Sequence, residues 1–170
     1  MNIKLNINYE KIFAILAYFV GLAAVGVSVY SAYTDHEYAR LSVWPRLDIL
    51  RSQGSNYFKY EVSNNGIGPA LIKYAKIKHD GKIIHHWADI PEMKNIRQSH
   101  IGTKTLPSLV TIYPVTSQGS QSIEIADIDH QISIELCYCS IYKECWLTNK
   151  ENNPIAIDIC SIDDRDRFLQ

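Results

Sequence analysis

The sequence predicts a mainly β protein: an antiparallel β-sandwich, with a β-barrel as the alternative, preceded by one transmembrane α-helix. Three observations carry this. No charged side chain occurs from Ile12 to Thr34, about the length needed to cross a hydrocarbon core of ~30 Å at 1.5 Å rise per residue. From Leu47 onward short runs alternate apolar and polar residues, the period of a strand with one buried face. Turn residues interrupt these runs at intervals that allow roughly seven to nine strands.

Residues 1–11 form a short N-terminal tail with Lys4 and Lys11, and residues 12–34 form the membrane helix. Phe13, Leu16, Phe19, Val20, Leu22, Val25 and Val27 spread around its circumference, so no polar stripe marks a soluble helix. Tyr9, Tyr30, Tyr33 and Tyr38 stand near its ends, where amphipathic rings favour headgroup level. The apolar run is too long for a cleaved signal peptide and no small-x-small cleavage site follows, so a permanent signal anchor fits better. Ala14, Ala17, Gly21, Ala24, Ser28 and Ser31 recur at spacings of three and four. Such a stripe lets two backbones approach closely in lipid, and it reads as a packing seam for self-association or for a larger membrane partner.

Residues 35–41 extend the helix past Glu37 and Arg40, and Pro45 requires a stop before it. The β domain occupies 42–161. Leu47 and Ile49 open it, and Phe58, Tyr60 and Val62 make a half-buried strand. Asn65, Gly66, Gly68 and Pro69 form a structural corner before a strand from Leu71 to Lys78. Asp80-Gly81 is a hairpin turn leading to Ile83, Ile84 and Trp87. Asp89 to Arg97 reads as a short helix. Leu106 to Tyr113 and Ser122 to Ile125 read as strands, separated by a turn at Thr116, Ser117, Gln118 and Gly119. The strand Gln131 to Cys139 alternates most clearly, Cys145 to Thr148 follows it, and Ile155, Ile157 and Ile159 are expected to point inward. Residues 162–170, with Asp163, Asp164 and Asp166 beside Arg165 and Arg167, read as an exposed polar tail.

Balanced charge excludes one class of partner. With 17 basic and 18 acidic residues the formal net charge is -1, without the basic footprint that nucleic-acid binding requires. No phosphate loop, nucleophile elbow or calcium loop is present. The expectation is therefore a non-enzyme with no cofactor, no metal and no catalytic residue. Asp127, Asp129 and His130 read as a solvated loop, and His85 and His86 as surface side chains facing opposite ways. Trp44, Trp87, Trp146, Tyr113, Tyr138 and Tyr142 would anchor a binding surface only if several were exposed together.

The chain has four cysteines: Cys137, Cys139, Cys145 and Cys160. If Ser140 to Glu144 form a hairpin turn, Cys139 lies opposite Cys145 and Cys137 is left for Cys160. Two disulfides, buried free thiols and a four-sulfur zinc site are the open readings, with disulfides preferred. Positive charges flanking the helix are nearly balanced between Lys4 and Lys11 on one side and Arg40, Arg46 and Arg51 on the other. The cysteines tip orientation toward a cytoplasmic N-terminus and a periplasmic domain.

Ser42-Val43-Trp44-Pro45, Asn65-Gly66-Ile67-Gly68-Pro69-Ala70, Asp80-Gly81-Lys82, Trp87, and Cys137-Tyr138-Cys139-Ser140 with Cys145-Trp146 together resemble an uncharacterised family of bacterial single-pass membrane-anchored proteins. The Asn-Gly-x-Gly-Pro-Ala element is similar to a corner of immunoglobulin-like adhesive modules. The resemblance implies an immunoglobulin-like domain tethered to the bacterial inner membrane, and no established activity. Two functional expectations follow: an interaction module at the envelope, within an oligomer or membrane complex, or a cytoplasm-facing ligand sensor or signalling effector coupled to the helix.

Overall fold

A computed structural model describes residues 9–169; positions 1–8 of the expected N-terminal tail, Lys4 among them, and Gln170 lie outside the described residues. The chain divides into two compact units, a helical segment ending at Leu41 and a second unit beginning at Ser42.

The first unit is the single helix α1 (Tyr9–Leu41). It is long and apolar enough to span a membrane, and none of its residues is buried within the protein. Two of the hydroxyls on its C-terminal half are satisfied locally: Ser28 donates to the Ala24 carbonyl at 2.8 Å and Thr34 to that of Tyr30 at 3.0 Å. An apolar surround therefore strands neither group.

The second unit contains β1 (Leu47–Gly54), β2 (Tyr57–Asn64), β3 (Ala70–His79), β4 (Lys82–Ile84), β5 (Arg97–Gln98), β6 (Lys104–Leu106), β7 (Thr111–Gln118), helix α2 (Ser120–Ile128), β8 (Ile132–Cys139), β9 (Cys145–Asn149) and β10 (Ile155–Ile157). All pairings are antiparallel. One sheet has the order β1-β2-β7-β5 and the other β10-β9-β8-β3-β4, with β6 also paired to β3. Both sheets share one apolar core: Leu47, Ile49, Phe58, Tyr60 and Val62 from the first meet Ile72, Ile77, Ile134, Leu136 and Tyr138 from the second. The alternation read in β2 and β8 is thus the core-facing phase. At Asp80 and Gly81, φ values of 51° and 74° form the tight β3–β4 hairpin.

Several expectations change. Ser122 to Ile125 is helix, not strand: Ser122 and Ile125 are buried and Ile128 packs beside them, the three-residue spacing of a helical face. The expected strand Leu106–Tyr113 divides, because β6 ends at Leu106, Pro107 has no N–H to pair, and Leu109 adopts φ 59°. Thr116 to Gln118 belong to β7, and the turn falls at Gly119. In place of one helix from Asp89 to Arg97 stand two 3-10 turns, Trp87–Asp89 and Pro91–Met93. The C-terminal tail docks instead of lying free. Phe168 is 1% exposed against Trp87, its N–H donates to the Ala75 carbonyl at 2.9 Å, and Asp166 accepts from Lys76 at 2.6 Å. One aromatic in a polar segment supplies enough buried apolar area to hold it.

Candidate functional site

The corner between β2 and β3 is organised by Asn64, which the sequence marks only as one of the residues that break the strand. Phe58, Tyr60 and Val62 point inward, and the next residue in that phase is Asn64, fully buried at the end of β2. Its Nδ2 donates to the carbonyls of Gly68 (2.8 Å), Leu106 (3.1 Å) and Pro107 (3.1 Å), and its Oδ1 accepts from the N–H of Arg46 (3.2 Å) and Gly66 (3.1 Å). One amide side chain thus joins the entry to β1, the corner and the segment before β7, pairing backbone groups that burial would otherwise orphan. A polar residue in a buried phase was the available signal. Of the named corner residues, Asn65 is exposed and donates to Asp48 at 2.7 Å. Gly66 and Gly68 pass against the Val43–Arg46 backbone, where a Cβ would collide with the carbonyl oxygens of Trp44 and Val43 respectively. Pro69 follows at the entrance to β3.

At the side of the second sheet the four sulfurs form two bridges, Cys137–Cys160 and Cys139–Cys145, with Cα separations of 5.8 and 4.0 Å. The register sets Cys139 opposite Cys145, while Cys137 faces outward onto the segment that carries Cys160. This C-terminal crossing covers the outer face of β8, which explains why Cys137 and Cys139 are buried although they lie opposite the core-facing residues. Among the described residues, Cys139, Cys145 and Cys160 are the group that could gather around a metal, within 4.8 Å of one another. Bridged sulfurs are not the thiolates that a metal takes. Alkylation of the native chain is expected to label none of the four cysteines, and alkylation after reduction to label all four, read as a mass shift. Full labelling without reductant would remove the bridges.

Beside the bridges Trp44 stacks on Trp146 at 5.3 Å and Trp146 on Tyr138 at 5.7 Å, a ladder from the surface into the core. Trp44 is the exposed end. A recess of about 470 Å³ opens between Leu71, Cys139, Ile141, Cys145 and Ile159, with Lys73, Lys143 and Asp158 at its walls. β10 is the sheet edge here, pairing only with β9. Ile155 and Ile159, expected inward, are 62% and 73% exposed, because nothing among the described residues lies beyond β10 to cover them. Trp87, by contrast, is core, stacked on Tyr60 and edge-on to Phe168, and Tyr113 lies beneath the Lys59 ammonium at 4.9 Å. The six aromatics therefore do not make one patch.

A second correction concerns Asp129. It is 6% exposed, accepting from Tyr60, from Arg51 at 2.8 Å and from Lys150 at 2.6 Å. Burial opposes its ionisation, but the hydrogen bonds from Lys150, Tyr60 and Arg51 outweigh it and hold the carboxyl below its ordinary value. Burial, reinforced by the Asp129 hydrogen bond, pushes the Tyr60 phenol up. A carboxylate with all its partners in place is a structural tie between the sheets. Asp127 and His130 remain outside this tie. His85 holds the Arg167 carbonyl at 3.1 Å through Nδ1, and His86 is exposed.

No protein-family model and no curated protein matches the chain.

Proposed function

We propose that the protein is a non-enzymatic interaction module anchored in the bacterial inner membrane by α1, with its N-terminus in the cytoplasm and an immunoglobulin-like β-sandwich in the periplasm. The observation that carries the reading is the pairing of an apolar helix, unburied along its whole length, with a separate β unit whose cysteines stand as two bridges. Such bridges persist in oxidising compartments and are rare in the cytosol. The strand order supports the immunoglobulin-like assignment: β1-β2-β7-β5 corresponds to strands A, B, E and D, and β9-β8-β3 to G, F and C, with β4 in the place of C′. The resemblance to membrane-anchored bacterial proteins belongs to this same reading.

Partners meet the module in two places. One is the β10 edge, where unpaired backbone and the side chains of Ile155, Ile159 and Trp44 suit an added strand from a partner protein. The other is the helix seam of Ala14, Ala17, Gly21, Ala24, Ser28 and Ser31. Around Gly21 no atom outside its own turn lies within 4 Å, so another helix has room to approach. Leu in place of both Gly21 and Ala24 is expected to abolish the dimer signal in a membrane two-hybrid assay; an unchanged signal would end the seam assignment. Orientation is tested by C-terminal fusions. An active phosphatase with a dark fluorescent protein places the domain in the periplasm. The reverse favours the cytoplasm-facing sensor or effector.

A further inference from the structure

Three loops gather at one end of the β unit, and each exposes a large apolar side chain. The register places them together: Leu47 pairs with Asn64, Ser63 with Thr111 and Leu71 with Cys139, so the corner 64–69, the loop 107–110 and the hairpin tip 140–144 close the same end of the two sheets. Ile67 is 65% exposed and Leu109 78%, with Val110, Ile141 and Tyr142 also exposed. The segments Asn65 to Pro69 and Pro107 to Val110 contain no charged residue, and the tip 140–144 carries Lys143 and Glu144. Hairpin tips at the other end read Asp80-Gly81-Lys82 and Gly54-Ser55-Asn56, which are polar or charged.

These apolar tips are held, not loose. Leu109 donates its N–H to the Asn64 carbonyl at 2.9 Å, Ser108 donates to the Gly66 carbonyl at 2.6 Å, and Asn64 donates its N–H to Val110 at 3.0 Å. Leu109 sits at φ 59°, a conformation that favours glycine and is costly for a leucine. A branched apolar side chain exposed on a disfavoured backbone adds little to the core, and such exposed apolar groups mark contact sites.

We propose that this contact is the bilayer: Ile67 and Leu109 enter the boundary between headgroups and acyl chains, with Tyr142 and Lys143 at headgroup level. The inference rests on α1 spanning the membrane, and sequence continuity favours lipid over a protein partner. The uncharged run ends at Thr34, the helix continues to Leu41, rising about 10 Å over that stretch, and Val43 and Trp44 already belong to the loop end, since Trp44 accepts from Gly68. Three extended residues add at most about 10 Å, a tether short enough to allow this end to reach the interfacial layer. Interfacial Tyr and Lys beside apolar tips suit that depth.

The test uses the full chain, with its two bridges intact, in phosphatidylcholine–phosphatidylglycerol nanodiscs. Nitroxide labels are placed on Leu109→Cys and, separately, Ile67→Cys, with Val25→Cys in the helix and Lys82→Cys at the far hairpin for reference, and relaxation by oxygen and by a water-soluble nickel chelate is compared. The oxygen-to-nickel ratio at Leu109 and Ile67 is expected to be several-fold above that at Lys82 and below that at Val25, as an interfacial depth requires. Ratios at both tips equal to that at Lys82, or shielding from both reagents as a protein partner or second copy would give, overturn the proposal while a lipid-like Val25 leaves the anchor standing. A water-like Val25 overturns the anchor and this inference together.

Discussion

Replacing Asn64 by alanine is expected to cost about 4 kcal/mol of stability, near the top of what single substitutions do. The side chain pairs three carbonyls and two N–H groups, and alanine removes it from all of them, three in buried and two in part-buried places. Each orphaned buried group costs about 1–3 kcal/mol, less where the loops relax toward water. The losses are coupled, so the total falls short of their sum. Thermal unfolding of the full chain in detergent, followed by tryptophan fluorescence, should show a midpoint lower by roughly 15 °C. Asn65→Ala removes only an exposed bond to Asp48 and should move the midpoint by a few degrees at most. Equal effects of the two would refute the central place given to Asn64. Asparagine is specifically required because it offers donors and an acceptor on one planar group; aspartate would retain the acceptor and lose every donated bond.

Asp129→Ala is expected to cost about 3 kcal/mol at neutral pH, the lower part of the range for breaking a buried ion pair. It leaves Lys150 facing the Tyr60 ring without its carboxylate, but Lys150 and the half-exposed Arg51 retain some water, which limits the loss. The pH dependence has a definite sign. Folding holds the Asp129 carboxyl below its ordinary value of 3.8, so the folded state favours the ionised form. Its contribution is complete above that ordinary value and is lost as pH falls through the lower, folded value. Urea unfolding midpoints of the natural chain should therefore drop more steeply in acid than those of Asp129→Asn, whose amide does not titrate. Parallel curves for the two proteins would show that folding does not lower the Asp129 carboxyl below its ordinary value. The same carboxylate gives no reason to look for catalysis here: a group held by a lysine, an arginine and a phenol is tied into the structure and is not poised near neutrality to exchange protons.

Much of this was legible from residues alone. Length and absence of charge mark α1, and period-two alternation marks β2 and β8, because burial on one face imposes that pattern on a strand. Asp80-Gly81 announces its hairpin, since two successive residues at positive φ select those types. The failures have equally physical causes. Ser122 to Ile125 is too short for its periodicity to distinguish helix from strand. Asn64 reads as a strand breaker beside Asn65 and Gly66, although a polar residue in the apolar phase of β2 was a usable sign of its burial.

The amino-acid sequence by itself determined the long apolar helix, the strand-rich character of the chain after it and which face of β2 and β8 turns inward, because these depend on contacts a few residues apart and on a simple partition between water and apolar surroundings. Only the tertiary structure decided that Asp129 is buried, that Phe168 closes the core, that β10 is an edge with its isoleucines outward, and that three apolar loop tips share one end of the sheets. Each of these depends on segments distant in the chain becoming neighbours, so the environment of the side chain, not its type, sets its role.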